Sequence, residues 1–149
     1  MWLNCGDYYI GNYKDGLKSG QGTFKCITGK VYDGQWLYDS QNGQGVMKFT
    51  DGAYYEGNFE YGYRTGYGTY IYPNGDKYEG DFVDNKRHGQ GKITYINGTT
   101  KEGRFLNDYY KGPLPKAKKV EEIKEEIKEE TKEEEKEEEK EEEHTNQDY

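Results

Sequence analysis

The sequence predicts an all-β protein, a single-layer antiparallel β-meander of 23-residue hairpin repeats, and three observations support this. Glycines and aromatic residues recur every 23 residues through residues 1–112 without a slip. Within each unit, apolar and polar residues alternate over two short stretches, which is the pattern of half-buried strands. Apolar residues make up only 31% of the chain, too few for an ordinary layered core of this length.

The 23-residue period is carried by several series of residues that stay in phase. One glycine series is Gly11, Gly34, Gly57, Gly80 and Gly103. Two aromatic series keep the same step, and they are Tyr9, Tyr32, Tyr55, Tyr78 and Tyr13, Trp36, Phe59, Phe82, Phe105. Each unit therefore holds two strands and two turns, and polar residues fill the opposite face of the predicted sheet.

The first turn of each unit decides which residues share a face. In the third unit this turn is residues 73–75, a proline, an asparagine and a glycine. A three-residue loop pairs Tyr70 with Tyr78, whereas a two-residue loop pairs Ile71 with Tyr78. Only the three-residue loop places the large aromatic residues on one face, and a slip of one residue would send an apolar set into water. We therefore predict the three-residue loop.

The second turn of each unit is predicted to be longer than the first. Its middle carries residue types that tolerate positive φ well. In chain order these are Gly16, Asp39, Gly62, Asn85 and Asp108.

The full pattern of the third unit starts at Tyr55-Glu56-Gly57 and continues through Gly-x-Gly and Asn-Gly to Tyr78. It resembles the MORN (membrane occupation and recognition nexus) repeat. The resemblance covers roughly residues 1–112, as four full units with a partial unit at each end.

Three departures from the MORN pattern concern its histidine and the two ends. The His-Gly pair of the family appears only as His88-Gly89. Lys101 replaces the leading tyrosine of the last unit, which we interpret as a terminal cap. Met1 falls within a strand position, so we expect either a half repeat that caps the array or a truncated start.

The sequence changes character after residue 112. Residues 1–112 carry 13 basic and 13 acidic side chains, so the net charge of −8 lies entirely beyond them. Residues 113–119 form a Pro/Lys linker, because nearby prolines stop regular strand pairing. The acidic Glu/Lys-rich tail, residues 120–149, is predicted to be helical or disordered. A solvated tail is the first interpretation, and docking of its short apolar stripe on a partner or a second copy is the second. The stripe spans under two heptads, which is short for a coiled coil.

No cluster of residues predicts catalysis, a cofactor or a metal ion. His88 lies at a turn position and His144 in the tail, and neither has a serine nucleophile nearby. Cys5 and Cys26 have no zinc-binding spacing and are too few for a disulfide framework, which favours a reducing compartment. Neither portion of the chain is basic, so we expect no nucleic-acid partner. We expect a protein that is not an enzyme.

The aromatic face is the candidate binding site, because exposed aromatic surface is typical of protein interfaces. The residues assigned to it are Tyr9, Tyr13, Tyr32, Trp36, Tyr55, Phe59, Tyr70, Tyr78 and Phe82. The competing interpretation is that these rings pack on one another and supply the only core. We expect the face to receive a helix or peptide segment of a protein partner, and strand edges at the array ends also allow a homodimer.

The resemblance implies both a cellular setting and a rival function. Similar proteins include ciliary radial-spoke head components and cytoskeletal scaffolds, so we expect a cytoplasmic scaffold of the cytoskeleton or the cilium axoneme. Other MORN proteins are linked to membranes, so a peripheral tether that binds phospholipid or phosphoinositide is the alternative. A neutral array beside an acidic tail should be attracted only weakly to anionic lipid. A third interpretation is a regulatory module that serves a separate catalytic subunit.

Overall fold

The computed structural model describes residues 6–115, and these form one sheet of ten antiparallel strands. Each strand pairs with its neighbours in sequence. The strands are β1 (Tyr8–Lys14), β2 (Leu17–Lys25), β3 (Val31–Leu37), β4 (Ser40–Lys48), β5 (Tyr54–Glu60), β6 (Tyr63–Ile71), β7 (Lys77–Val83), β8 (Lys86–Thr94), β9 (Thr100–Leu106) and β10 (Tyr109–Gly112). The predicted all-β antiparallel meander is confirmed. The predictions for the tail, residues 120–149, lie outside the described residues.

The three-residue loop between β6 and β7 has the predicted register. Tyr70 pairs with Tyr78, and the flanking strand residues continue in step. The backbone N–H of Gly75 donates to the carbonyl oxygen of Tyr72 at 2.9 Å, and Gly75 has a φ of 94°. The proline-to-glycine segment is therefore a turn that ends in the left-handed region, where glycine carries no steric cost.

The second turn is not longer, and that prediction was wrong. Between β3 and β4 the loop is only Tyr38 and Asp39, with φ values of 47° and 65°. Two successive residues at positive φ are typical of the tight type I′ hairpin turn. The polar stretch that suggested a long turn belongs to β4 instead. Two extra residues of β4 are absorbed by a bulge, because the register moves from Gly34–Gly45 to Trp36–Gln41.

The buried layer of the protein is a row of tyrosines on one face of the sheet. Tyr55 pairs directly with Met47 on one side and with Tyr70 on the other, so these side chains share a face. The fully buried side chains of this face are Tyr9, Tyr32, Tyr55 and Tyr78. The opposite face carries cross-strand polar pairs such as Gln44 with Asn58, whose amides are 2.6 Å apart.

Each buried tyrosine lies over a pair of glycines that face each other across two strands. Gly57 pairs with Gly68, and the ring of Tyr55 occupies the space that side chains there would fill. A Cβ atom on Gly68 would lie 2.5 Å from Tyr55 Oη and 2.6 Å from its Cε2. The hydroxyl of Tyr55 donates to the carbonyl oxygen of Asn58 at 3.0 Å. The glycine series is therefore required by the tyrosine series.

The same arrangement recurs in each of the other units. Tyrosine hydroxyls donate to the carbonyl oxygen three residues later at 2.9–3.0 Å, and the donors are Tyr9, Tyr32 and Tyr78. The glycines beneath these rings are Gly22, Gly45 and Gly91. A one-layer sheet thus gains a second layer from its own side chains, which lie flat against the backbone.

Substitution of Gly68 by alanine tests this packing. The added methyl group meets a buried ring that has no room to move, so we expect the free energy of unfolding to fall by about 2–3 kcal/mol. Urea unfolding of the full-length chain measures this effect. Tyr67→Ala is the matched control, because this neighbouring side chain is 63% exposed on the opposite face and should change stability by less than about 0.5 kcal/mol. Equal effects of the two substitutions would contradict the packing described here.

Candidate binding groove

The nine aromatic residues assigned to the binding face do not all reach the surface. Seven of them are buried, and these are Tyr9, Tyr32, Trp36, Tyr55, Phe59, Tyr78 and Phe82. Tyr70 is half-buried, and Tyr13 is 43% exposed. Most of the set therefore forms the core, as the competing interpretation held. The prediction that a partner contacts this face stays a prediction, and most of the surface within reach is made by other residues.

The buried rings, with the less buried Tyr13 and Tyr110 at the two ends, form one unbroken chain of edge-to-face contacts. Ring centroids along it are 5.0–5.5 Å apart. In spatial order the rings are Tyr13, Tyr9, Trp36, Tyr32, Phe59, Tyr55, Phe82, Tyr78, Phe105 and Tyr110. Each such contact stabilises the fold by roughly 0.5–1.5 kcal/mol beyond area burial. Because every second contact joins neighbouring repeats, the chain of rings couples the repeats.

A second row of half-buried aromatic residues lies against this core. Its members are Phe24, Phe49, Tyr70, Tyr72 and Tyr95. Only Tyr70 of this row was assigned to the site from the sequence. The signal for the others was present, since Phe49, Tyr72 and Tyr95 also repeat at 23 residues. These side chains present ring surface that a partner can reach without disturbing the core.

Basic residues lie among the rings, and the sequence analysis did not single them out. The guanidinium carbon of Arg64 is 5.1 Å from the ring centroid of Tyr70 and 5.6 Å from that of Tyr55. Arg87 lies 5.4 Å from the ring of Phe105, and Lys18 reaches the ring of Trp36 at 5.3 Å. Such contacts are worth about 0.5–2 kcal/mol each, depending on how far water is excluded.

These basic residues also join their own repeats to the turn of the next one. Arg87 donates its backbone N–H to Asp108 Oδ1 at 2.9 Å, and Asp108 returns its own N–H to the Arg87 carbonyl oxygen at 3.0 Å. Arg64 and Asn85 repeat this reciprocal pair of hydrogen bonds. The turn residue at positive φ is therefore held by the preceding repeat, which explains why a short polar residue suits that position.

Two adjoining depressions lie above the second row in the C-terminal half of the array. One has a volume of about 330 Å³ and the other about 480 Å³, and both are lined by Tyr72 and Arg87. We call the two together the aromatic groove. Its further lining residues are Arg64, Tyr70, Pro73, Asn74, Asp76, Phe82, Asn85, Ile93, Tyr95 and Asp108. A separate depression of about 330 Å³ lies beside Lys18 and Trp36.

Residues 6–115 contain no group of three or more His, Cys, Asp or Glu side chains that could hold a metal ion. The Nδ1 atom of His88 is buried and has no hydrogen-bond partner among the described residues. In the same part of the chain, no helix has the length and apolar character to cross a membrane. Burial raises the pKa of Tyr72, so the hydroxyl in the groove stays a neutral donor.

The core tyrosines make stability depend on pH in the alkaline range. Burial raises the pKa of Tyr55 to about 12, and the nearby Arg64 guanidinium opposes this shift. Burial also raises the pKa of Tyr9, Tyr32 and Tyr78. An unfolded tyrosine, with a pKa of about 10, loses its proton first. The stabilising contribution is therefore complete below about pH 10 and is lost as the pH rises toward 12.

We expect the urea midpoint of the full-length chain to be flat near neutral pH and to fall steeply between about pH 10 and 12. Tyrosinate absorbance of the folded protein should show that part of the tyrosine set resists ionisation over this interval. A midpoint that stays constant to about pH 12 would contradict the burial of these hydroxyls.

Comparison with known families agrees with the repeat read from the sequence. The MORN repeat model matches residues 9–31, 32–54, 55–77 and 78–100. No curated protein matches the chain at a significant level. MORN repeats are generally associated with binding of proteins or membrane lipids. Because the four matches cover more than half of the sequence, this chain belongs to the family of MORN repeat proteins.

Proposed function

We propose that the chain is a non-enzymatic scaffold or adaptor that binds a helix or peptide segment of a partner protein along the aromatic groove. The observation that carries this proposal is the division of the aromatic face into two rows. The rings of the first row between Tyr13 and Tyr110 are buried and hold the sheet together. Three half-buried rings of the second row, Tyr70, Tyr72 and Tyr95, line an open groove, so a partner gains apolar contact without displacing the core.

The groove has the mixed character of a protein interface. Tyrosines are enriched at such interfaces because a broad ring and a polar tip act together. Tyr70, Tyr72 and Tyr95 supply rings, and the main chain and side chains near Asn74 and Asn85 supply polar groups. An extended or helical segment with apolar side chains on one face fits such a surface.

The cellular setting is part of the same proposal. Resemblance to radial-spoke head components and to cytoskeletal MORN scaffolds supports a place in the cytoplasm, in an assembly of the cytoskeleton or the ciliary axoneme. The second candidate function is a peripheral membrane tether, which the general association of MORN repeats with membrane lipids supports. The charge balance of residues 1–112, with 13 basic and 13 acidic side chains, favours the scaffold.

Proximity labelling with the full-length chain tests the scaffold proposal when a groove variant is compared with a matched variant. The double substitution of Tyr72 and Tyr95 by alanine removes two groove rings. The control replaces Tyr38 and Tyr61 by alanine, because these tyrosines lie at turn tips and are 72% and 69% exposed. We expect labelling of partners by the groove variant to fall about tenfold or more, because loss of two interface rings costs more than about 1.4 kcal/mol of binding free energy. The turn variant should keep them.

Co-sedimentation with vesicles separates the scaffold from the membrane tether. We expect the full-length chain to stay in the supernatant with phosphoinositide-containing vesicles at physiological salt, because the array carries no net charge to attract them. Strong pelleting that salt reverses, and that the Tyr72/Tyr95 variant loses, would favour the tether instead.

A further inference from the structure

The basic–acidic pair that joins one repeat to the turn of the next is replaced in two successive repeats of the array. In the second repeat Gln41 stands at the position of the cation and Gly62 at that of the carboxylate. Lys18 pairs with Asp39 at 3.5 Å, and Arg87 pairs with Asp108 at 3.4 Å. Arg64 holds the corresponding position in the third repeat, but its turn partner is the neutral Asn85. Among residues 6–115, Arg64 is thus a groove cation that no carboxylate neutralises within 4.0 Å.

The guanidinium of Arg64 is held in place although its charge is not neutralised. Nε donates to Asn85 Oδ1 at 3.3 Å, and Nη2 donates to the Asn85 carbonyl oxygen at 3.0 Å. Four rings surround it, at 5.1–5.7 Å from their centroids, and they are Phe49, Tyr55, Tyr70 and Phe82. A guanidinium has five N–H donors, so donors remain for a ligand. The side chain is therefore preorganised toward the groove.

The depression around Arg64 carries one net positive charge. Its charged lining residues are Arg64, Arg87 and Asp108, and the last two neutralise each other. Asp76 lies in the adjoining depression, where its carboxylate accepts hydrogen bonds from Ile96 N at 3.0 Å and from Asn74 Nδ2 at 2.9 Å. The site thus balances a ligand of a single negative charge.

We propose that the depression at Arg64 binds one carboxylate, the Asp or Glu side chain of a partner segment whose neighbouring apolar residues contact Tyr70 and Tyr72. This inference rests on the proposed function, because it names the chemistry of the partner. A carboxylate accepts hydrogen bonds from a guanidinium in a fixed planar geometry, and such charged hydrogen bonds are stronger than neutral ones. The rings beside the charge supply apolar contact for the flanking residues.

A protein carboxylate fits this depression better than a lipid phosphate. Phosphoinositide headgroups carry several negative charges and are bound by clusters of basic residues. Here one cation is unneutralised, it is half-buried between rings, and acidic side chains lie at Asp76 and Asp108. One unneutralised guanidinium balances the single charge of a carboxylate but not the several charges of a headgroup, and Asp76 in the adjoining depression adds a further negative charge.

Residues at equivalent positions of the other repeats suggest the substitutions that test this inference. Asn85→Asp copies the Arg87–Asp108 pair of the next repeat, so it should neutralise Arg64 and leave the fold at least as stable. Arg64→Gln copies the second repeat, where Gln41 holds the same position. Asp108→Asn has the opposite effect, because it removes the carboxylate that neutralises Arg87. Thermal unfolding of each full-length variant establishes that the fold is retained.

The binding measurement uses random 16-residue peptides displayed on phage and selected on the full-length chain. We expect selected peptides to combine an Asp or Glu with apolar neighbours, and exchange of that acid for its amide should weaken binding about tenfold or more. Asn85→Asp and Arg64→Gln should cause a similar loss in affinity for the acidic peptide but not for the amide peptide. Asp108→Asn should strengthen binding of the acidic peptide. Added inorganic phosphate and phosphoinositide vesicles should compete poorly with the peptide.

The outcomes separate this inference from the proposed function. Peptides that require Tyr72 and Tyr95, show no acidic residue and ignore Asn85→Asp would overturn the carboxylate site and leave the scaffold standing. Failure to select any peptide that depends on the groove rings would overturn the scaffold itself. Vesicles that displace the peptide from the native chain, and fail to bind the Asn85→Asp variant, would overturn the inference in favour of a lipid phosphate.

Discussion

The fold depends on one packing constraint, which is that a tyrosine ring lies flat over two facing glycines in every repeat. In the third repeat, Tyr55 covers Gly57 and Gly68, and its hydroxyl bonds to the Asn58 carbonyl oxygen. Larger residues at the glycines would lift the ring, open the layer to water and leave a carbonyl without its partner. A protein with few aliphatic residues thus obtains a dry core from rings that lie against its own backbone. The phase between glycine and tyrosine is fixed by this contact, and the other features of the repeat follow from it.

The same constraint explains why the binding surface is separate from the core. Once the tyrosines lie flat and the phenylalanines contact them edge-to-face, the first row of rings is closed. The second row, which includes Tyr70 and Tyr72, lies above this layer and is only half covered. Arg64 and Arg87 extend over these rings and bond to the next turn, so they stabilise the array and also shape the groove. As in other linear repeat proteins, each repeat contacts chiefly its neighbours, which allows one repeat to vary in charge without loss of the fold.

The sequence predicts the fold closely because the 23-residue period and the first turn of each unit are compatible with few strand registers. A proline and a glycine at the ends of the loop at 73–75 determine the register, and the register determines which rings share a face. The second turn was mispredicted because Tyr38 and Tyr61 adopt a left-handed φ that tyrosine rarely adopts. The residue after each, Asp39 or Gly62, donates its N–H to a carbonyl oxygen of the preceding repeat, a contact that local sequence does not show. The site was harder to predict, since the alternation of apolar and polar residues shows on which face of the sheet a ring lies but not how deeply it is buried. Arg64 could not be singled out from the sequence, because its importance arises from a neutral neighbour 21 residues away.

The ring-over-glycine constraint predicts that substitutions at Tyr55 and Gly68 are energetically coupled. A double-mutant cycle between Tyr55→Leu and Gly68→Ala measures this coupling through the free energy of unfolding. The three atoms nearest to an added Cβ at Gly68 all belong to Tyr55, and leucine lacks each of them. The added methyl group should therefore cost far less in the Tyr55→Leu background than in the native chain, with a coupling energy of more than about 1 kcal/mol. Two costs that simply add would show that the glycine is needed for some other reason, and the central claim would be wrong.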